Sequence, residues 1–198
     1  MASPIECQLR CIQLPVRPGG QCRGAALVGV LLVLVLVELL GVAAVQLALM
    51  GERSARSHRD TELALQAAEA ALADAELDIT RFRAHLFDGI RTAGFAPGCA
   101  RTSEFKGLCA PSAGAKPVWL DVDLEDADGP AVAYGEQTGR SYAQGAAGIQ
   151  PLRSPRYIIE WLPDTSGTPG SEVVYRVTAI GFGSRTEVQV VLQMLYRI

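Results

Sequence analysis

Hydrophobic positions along the chain fall into three regimes. In Ala25–Met50, a run of 26 residues, Glu38 is the single charge and Gln46 the one other strongly polar side chain. A helix rises about 1.5 Å per residue, so about 20 such residues cross a hydrocarbon core of about 30 Å. Lipid forces the backbone to satisfy its own amides, so a membrane-spanning helix is expected despite the valines. No proline occurs from Gly19 to Ala96, and the stretch after Gly51 is rich in helix formers. One helix is therefore expected from about Ala25 to about Phe87, with Gly89, Gly94 and Pro97 ending it. In its second half the apolar positions become periodic: Leu65, Ala68, Leu72, Ala75, Ile79, Phe82 and Leu86 are spaced 3, 4, 3, 4, 3 and 4, and Glu62, Glu69, Asp74, Glu76 and Arg83 are placed off that stripe. The stripe is short and alanine-rich for a coiled coil and is expected to pack on a sheet of its own domain.

The third regime is strand-like. Arg156–Leu162, Val173–Gly181 and Glu187–Tyr196 are rich in Val, Ile, Tyr and Trp and are separated by turn-rich stretches, which predicts antiparallel strands. Pro97–Pro155 reads as a long loop region with one strand suggested by the alternation of Val118, Leu120, Val122 and Leu124. Its acidic stretch Asp121, Asp123, Glu125, Asp126, Asp128 has a calcium-loop flavour. The sixth and twelfth positions counted from Asp121 are Asp126 and Val132 where an EF-hand needs glycine and glutamate, so a solvated acidic turn is preferred.

Charge and chemistry narrow the function. Removing Arg10, Arg17 and Arg23 from 18 basic residues, and Glu6 and Glu38 from 21 acidic ones, leaves 15 against 19 beyond Gly51. That net of -4 argues against nucleic acid or an anionic lipid surface as the main partner. His58 and His85 stand 27 residues apart on one predicted helix and cannot share a site. No phosphate loop, zinc pattern or nucleophile elbow occurs, so no catalytic residue, metal or cofactor is assigned. Cys7, Cys11 and Cys22 precede the apolar run, and the first 24 residues read as a cytoplasmic leader. A cleaved secretory signal is disfavoured, because such apolar regions run about 7 to 15 residues and seldom carry a central acid.

Arg23-Gly24, the apolar run, Arg59-Asp60 and above all Gln66–Leu72 (QAAEAAL), with PRYIIE and YRVTAIGFGSRT further on, resemble the PilX-type minor pilins of type IV pili. The resemblance implies an α+β, pilin-like fold in which the long N-terminal helix, transmembrane then amphipathic, packs on a small C-terminal antiparallel sheet. It implies prepilin peptidase cleavage between Gly24 and Ala25 and methylation of Ala25. Four segments are then expected: a leader at 1–24, a transmembrane half-helix at 25–50, an amphipathic half-helix at 51–88 and a periplasmic head at 89–198. In an oxidising periplasm Cys99 and Cys109, enclosing nine residues, are expected to form a disulfide.

Gly29 occupies the fifth mature position, where most pilins carry glutamate, and Ala25 the first, where most carry phenylalanine. The resemblance makes a chain without that glutamate a poor repeating subunit and points to the tip or priming complex. It implies other minor pilins, the major pilin, a PilY-type tip adhesin, prepilin peptidase and inner-membrane lipid as partners, with the head periplasmic and, after assembly, at the cell surface. A K-like minor pseudopilin of type II secretion is the alternative, and an unprocessed single-span sensor a third. Glu38 invites either an intramembrane polar contact with a neighbouring subunit or a neutral acid at a helix interface.

Overall fold

The computed structural model describes residues 25–114, 116–142, 150–163 and 173–197. Gly24, the other leader residues and the three leader cysteines lie outside them. A single α-helix, α1, covers Ala25–Leu77. The chain divides into two units at Gly51. In the first, the side chains from Ala26 to Met50 are all exposed, and the helix is long and apolar enough to cross a membrane. Such continuous apolar exposure requires lipid or protein cover.

The second unit begins at Glu52. After Leu77 the helix widens into a π-turn at Asp78–Phe82 and tightens into a 3-10 turn at Ala84–Leu86. The cause is local. Residues five apart sit about 140° from each other around an α-helix, yet the carboxylate of Asp78 holds the guanidinium of Arg83, and the amide of Arg83 donates to the Asp78 carbonyl at 2.9 Å. Closing the wider turn lets both groups meet on the buried side.

Five strands follow: β1 (Leu108–Cys109), β2 (Val132–Ala133), β3 (Arg156–Pro163), β4 (Val173–Phe182) and β5 (Gln189–Tyr196), with a short helix α2 (Val118–Asp121) between β1 and β2. The three long strands are antiparallel, as the apolar pattern predicted, with Tyr157 opposite Ala179 and Val177 opposite Met194. The sheet as a whole is mixed rather than antiparallel, because β1 runs parallel to β3 while β2 pairs antiparallel with the same strand. Val118–Leu124 is not a strand. Pro117 opens one helical turn there, which puts Val118 and Val122 on one face and leaves Leu120 exposed.

The sheet is covered on both faces. Tyr157, Ile159, Tyr175, Val177 and Ala179 share a core with Ala71, Ala75 and Ile79 of the helical segment, and Ile158, Ile180 and Phe182 share another with the disulfide cysteines, Val118, Leu124 and Ala131. Burial on both sides explains why β3 and β4 read as near-continuous apolar runs.

The buried stripe of α1 differs from the expected one. Ala64, Ala67, Ala68, Ala71 and Ala75 are fully buried together with Asp74 and Asp78, and Arg83 is buried as well, whereas Phe82 is 51% exposed and Leu65, Leu72 and Leu86 are half-buried. The reason is close approach. A Cβ built at Gly181 of β4 would overlap the carbonyl oxygen of Ala64 and the amide of Ala68, so backbone meets backbone and only small side chains fit. Gly181→Val should therefore destabilise the head by about 1–3 kcal/mol through overpacking, while Ala73→Leu on the exposed side should be near neutral. Chemical denaturation of the full chain in detergent, followed by far-ultraviolet circular dichroism, checks the pair.

Candidate functional site: the long helix and its polar anchors

The second half of α1 and the π-turn that follows it carry three acids on the buried side, and each finds its donors in a different part of the chain. Asp60 is only 4% exposed. Its Oδ1 accepts from the amide and hydroxyl of Ser184 at 2.5 and 2.7 Å, and its Oδ2 from Nε of Arg185 at 2.8 Å. Burial pushes the Asp60 carboxyl up, but the bonds from Arg185 and Ser184 together outweigh it and hold the group below the ordinary carboxylate range.

Asp74 is fully buried. It accepts from the amide of Gly135 at 2.8 Å and the hydroxyl of Thr138 at 2.6 Å, with Nη1 of Arg140 at 3.5 Å. Gly135 has φ +79, and a Cβ there would collide with the Arg140 carbonyl, so the turn that delivers its amide depends on glycine. Asp78 forms a two-pronged pair with Arg83, Nε to Oδ1 at 2.7 Å and Nη2 to Oδ2, and accepts from the hydroxyl of Tyr157 at 2.9 Å. Burial first, and then the Asp78 charge, push that hydroxyl far up, so it stays a donor. Arg83 also donates to the carbonyls of Glu104 and Lys106 at 3.1 and 2.9 Å, tying the end of the helix to the segment before β1.

The residues singled out in the sequence are not drawn into one site. Ala25 opens α1. Glu38 is exposed, has no hydrogen bond or ion pair among the described residues, and lines a shallow groove with Gly41, Val42, Val45 and Gln46. Cys99 and Cys109 are joined by a disulfide with Cα atoms 4.0 Å apart, buried under the outer face of the sheet. Cys99 takes φ +70, and the bridge works with the bonds Cys99 N to Ala96 O (3.0 Å) and Ala110 N to Ala96 O (2.9 Å) to hold the loop closed. The acidic stretch is tied internally, Asp123 to the Glu125 amide at 2.8 Å and Asp126 to the Asp128 amide at 3.0 Å, and among the described residues no group of acids, histidines or cysteines is arranged to hold a metal.

The three anchors escaped sequence reasoning, which put Asp74 and Arg83 on the solvent side. A signal was nevertheless present. Asp60, Ala64, Ala67, Ala71, Asp74 and Asp78 are spaced 4, 3, 4, 3 and 4, a helical stripe hidden because its residues are small or charged.

Two family models match this chain. One for the PilX N-terminal region matches residues 23–73, and one for the C-terminal part of the type IV pilus assembly protein PilX matches residues 105–198. The chain belongs to the PilX family of type IV pilus assembly proteins. No curated protein and no solved structure matches it. The PilX match includes Asp60 and the alanine stripe as far as Ala71, and it takes in all five strands. It also reaches further into the middle than the resemblance read from sequence, which covers about residues 23–79 and 155–198 and leaves the stretch between them unassigned, whereas the C-terminal model begins at Phe105. A PilX protein associates with other components of the type IV pilus, and the match does not favour the pseudopilin alternative.

Two predictions follow the anchors. Asp78→Ala leaves Arg83 buried and uncompensated, which should cost about 3–5 kcal/mol; denaturation of the full chain in detergent measures it, and a loss under about 1 kcal/mol would show that the pair does not anchor the helix. Asp60 gives a pH dependence of definite sign. Its folded value lies below the ordinary 3.8, so in the window between the two the unfolded chain binds more protons. Its stabilisation is complete above about pH 5 and is lost as pH falls through the folded value. In melting curves from pH 7 to pH 2, Asp60→Asn should lower stability at neutral pH and lose that part of the acid dependence.

Proposed function

We propose that this PilX-family protein is a minor pilin of the tip or priming complex that initiates a type IV pilus. Prepilin peptidase cuts on the cytoplasmic side between Gly24 and Ala25, leaving Ala25 as the methylated N-terminus. The leader is residues 1–24, the transmembrane half-helix 25–50, the amphipathic half-helix 51–88 and the head 89–198, with the head in the periplasm and the span in the inner membrane until assembly. The exposed apolar face of Ala26–Met50 supports this reading, since it needs lipid beforehand and neighbouring helices afterwards. The disulfide fits an oxidising compartment. Glu38, with no partner among the described residues of its own chain, fits a polar contact with another subunit, because an intramembrane acid is costly unless paired or protonated.

Gly29 carries the assignment to the end of the filament. A buried N-terminal amine is expensive unless a carboxylate neutralises it. At the fifth position of the processed chain this protein has no side chain at all, so it cannot neutralise a neighbour's amine in the register a repeating subunit uses. It is suited to the end of a stack, beside other minor pilins, the major pilin and a PilY-type adhesin.

Quantitative mass spectrometry of sheared pili decides both parts. The expected outcome is an N-terminal peptide starting at methylated Ala25 and a copy number that stays constant per filament as length grows. A chain still beginning at Met1 would sink the processing, and abundance proportional to filament length would sink the tip position.

A further inference from the structure

The overall acidity beyond Gly51 conceals a basic cavity. Arg56, Arg59, Asp60, Ser184 and Arg185 line a space of about 470 Å³. Three guanidinium groups face one carboxylate there, a local balance of +2. The carboxylate is already saturated: both oxygens of Asp60 are occupied by Ser184 and by Nε of Arg185. Arg56 pairs only with Glu52, four residues away and exposed, and Arg59 has no hydrogen bond or ion pair among the described residues. Arg56 stands one helical turn before Asp60, so the two share a face of α1, and the β4–β5 turn supplies Ser184 and Arg185 opposite them. The turn is held in place from within, by Gly183 N to Val188 O at 2.8 Å and Val188 N to Arg185 O at 3.2 Å. Arg59, a forked cation with no anion of its own, stands beside Arg56, whose pair with Glu52 is exposed and weak, and the two suit the paired oxygens of a phosphate ester.

Position in the sequence selects the source of the phosphate. Arg56 and Arg59 follow the last apolar residue, Met50, by six and nine positions, and helical side chains lean back toward the N-terminus. At about 1.5 Å per residue Arg56 and Arg59 are rooted about 9 and 13 Å beyond Met50, and their long side chains, leaning back, reach a headgroup layer about 5–8 Å thick. We propose that this cavity binds the phosphate of an anionic phospholipid headgroup while the chain is held in the membrane. The site rests on the reading that Ala25–Met50 spans a bilayer. It gives the head a defined seat on the membrane surface, released when the helix leaves for the filament.

The test uses the full chain in detergent micelles, titrated with dihexanoyl phosphatidylglycerol, dihexanoyl phosphatidylcholine or inorganic phosphate and read by native mass spectrometry. The anionic lipid should bind about tenfold more tightly than the zwitterionic one, whose ammonium the arginines repel, and Arg56→Gln with Arg59→Gln should lose about that factor. Arg53→Gln, outside the cavity, should bind as the unaltered chain does. Equal binding of the two lipids, or unchanged binding by the double variant, overturns the site; inorganic phosphate competing as well as the lipid overturns the lipid source. Because the titration reads binding in micelles, it can fail while processing and tip placement hold, and carbonate extraction of cell membranes separately tests whether the chain spans them.

Discussion

A carboxylate inside a protein survives only where donors meet it, and this requirement organises the head of the PilX-family chain. Asp60, Asp74 and Asp78 bring three negative charges to the buried side of the helix. Their donors come from three places far apart in sequence: the β4–β5 turn, the loop of Gly135 and Thr138, and the end of the helix with Tyr157 of β3. The turn and the loop are therefore each tied to the helix by a buried carboxylate. The magnitudes favour this view over one in which alanine burial fixes the orientation. An alanine methyl gains little from burial, about 0.8 kcal/mol on the scale of one carbon, and a smooth alanine surface tolerates sliding, whereas a half-broken buried pair costs several times as much.

The alanines set distance instead of orientation. With Gly181 opposite Ala64 and Ala68, the helix lies nearer the sheet than leucines would permit, and the larger side chains gather beyond the alanine stretch. There Phe87 meets Tyr175 edge-on with ring centroids 5.1 Å apart, and Phe95 stacks on the same tyrosine at 6.0 Å. On the outer face Glu160 and Arg176 pair across β3 and β4, and the disulfide segment covers the apolar remainder. β5 differs from its neighbours, with side chains half-buried and exposed in alternation and one side of its backbone forming the end of the sheet.

These features suit a subunit of an assembly more than a site of chemistry. The buried charged groups are used against one another in place. The minor pilin we propose needs a helix that other helices can cover and a head that keeps its shape. The polar anchors supply the second requirement and the apolar run the first.

Much of this was legible in the sequence. The helix through the apolar run, the three long strands and their antiparallel order follow from composition and periodicity, because those signals are local and depend on burying large apolar side chains. The family was legible from Gln66–Leu72 and the strand motifs. What tertiary structure decided was the fate of side chains that give little local signal. The alanine-rich stripe that includes Asp74 is only a weak mark of burial, and Arg83 is off it, since a charge becomes tolerable inside only when Thr138, Gly135 or Asp78 reaches it. The two-residue strands β1 and β2 carry too few residues to show a period, and they exist because the edge of β3 offers backbone partners. The turn at Val118 is helical because four residues after a proline can cover the sheet that way. Local pattern determined which long segments are regular, and long-range hydrogen bonding determined the short strands and which charges lie inside.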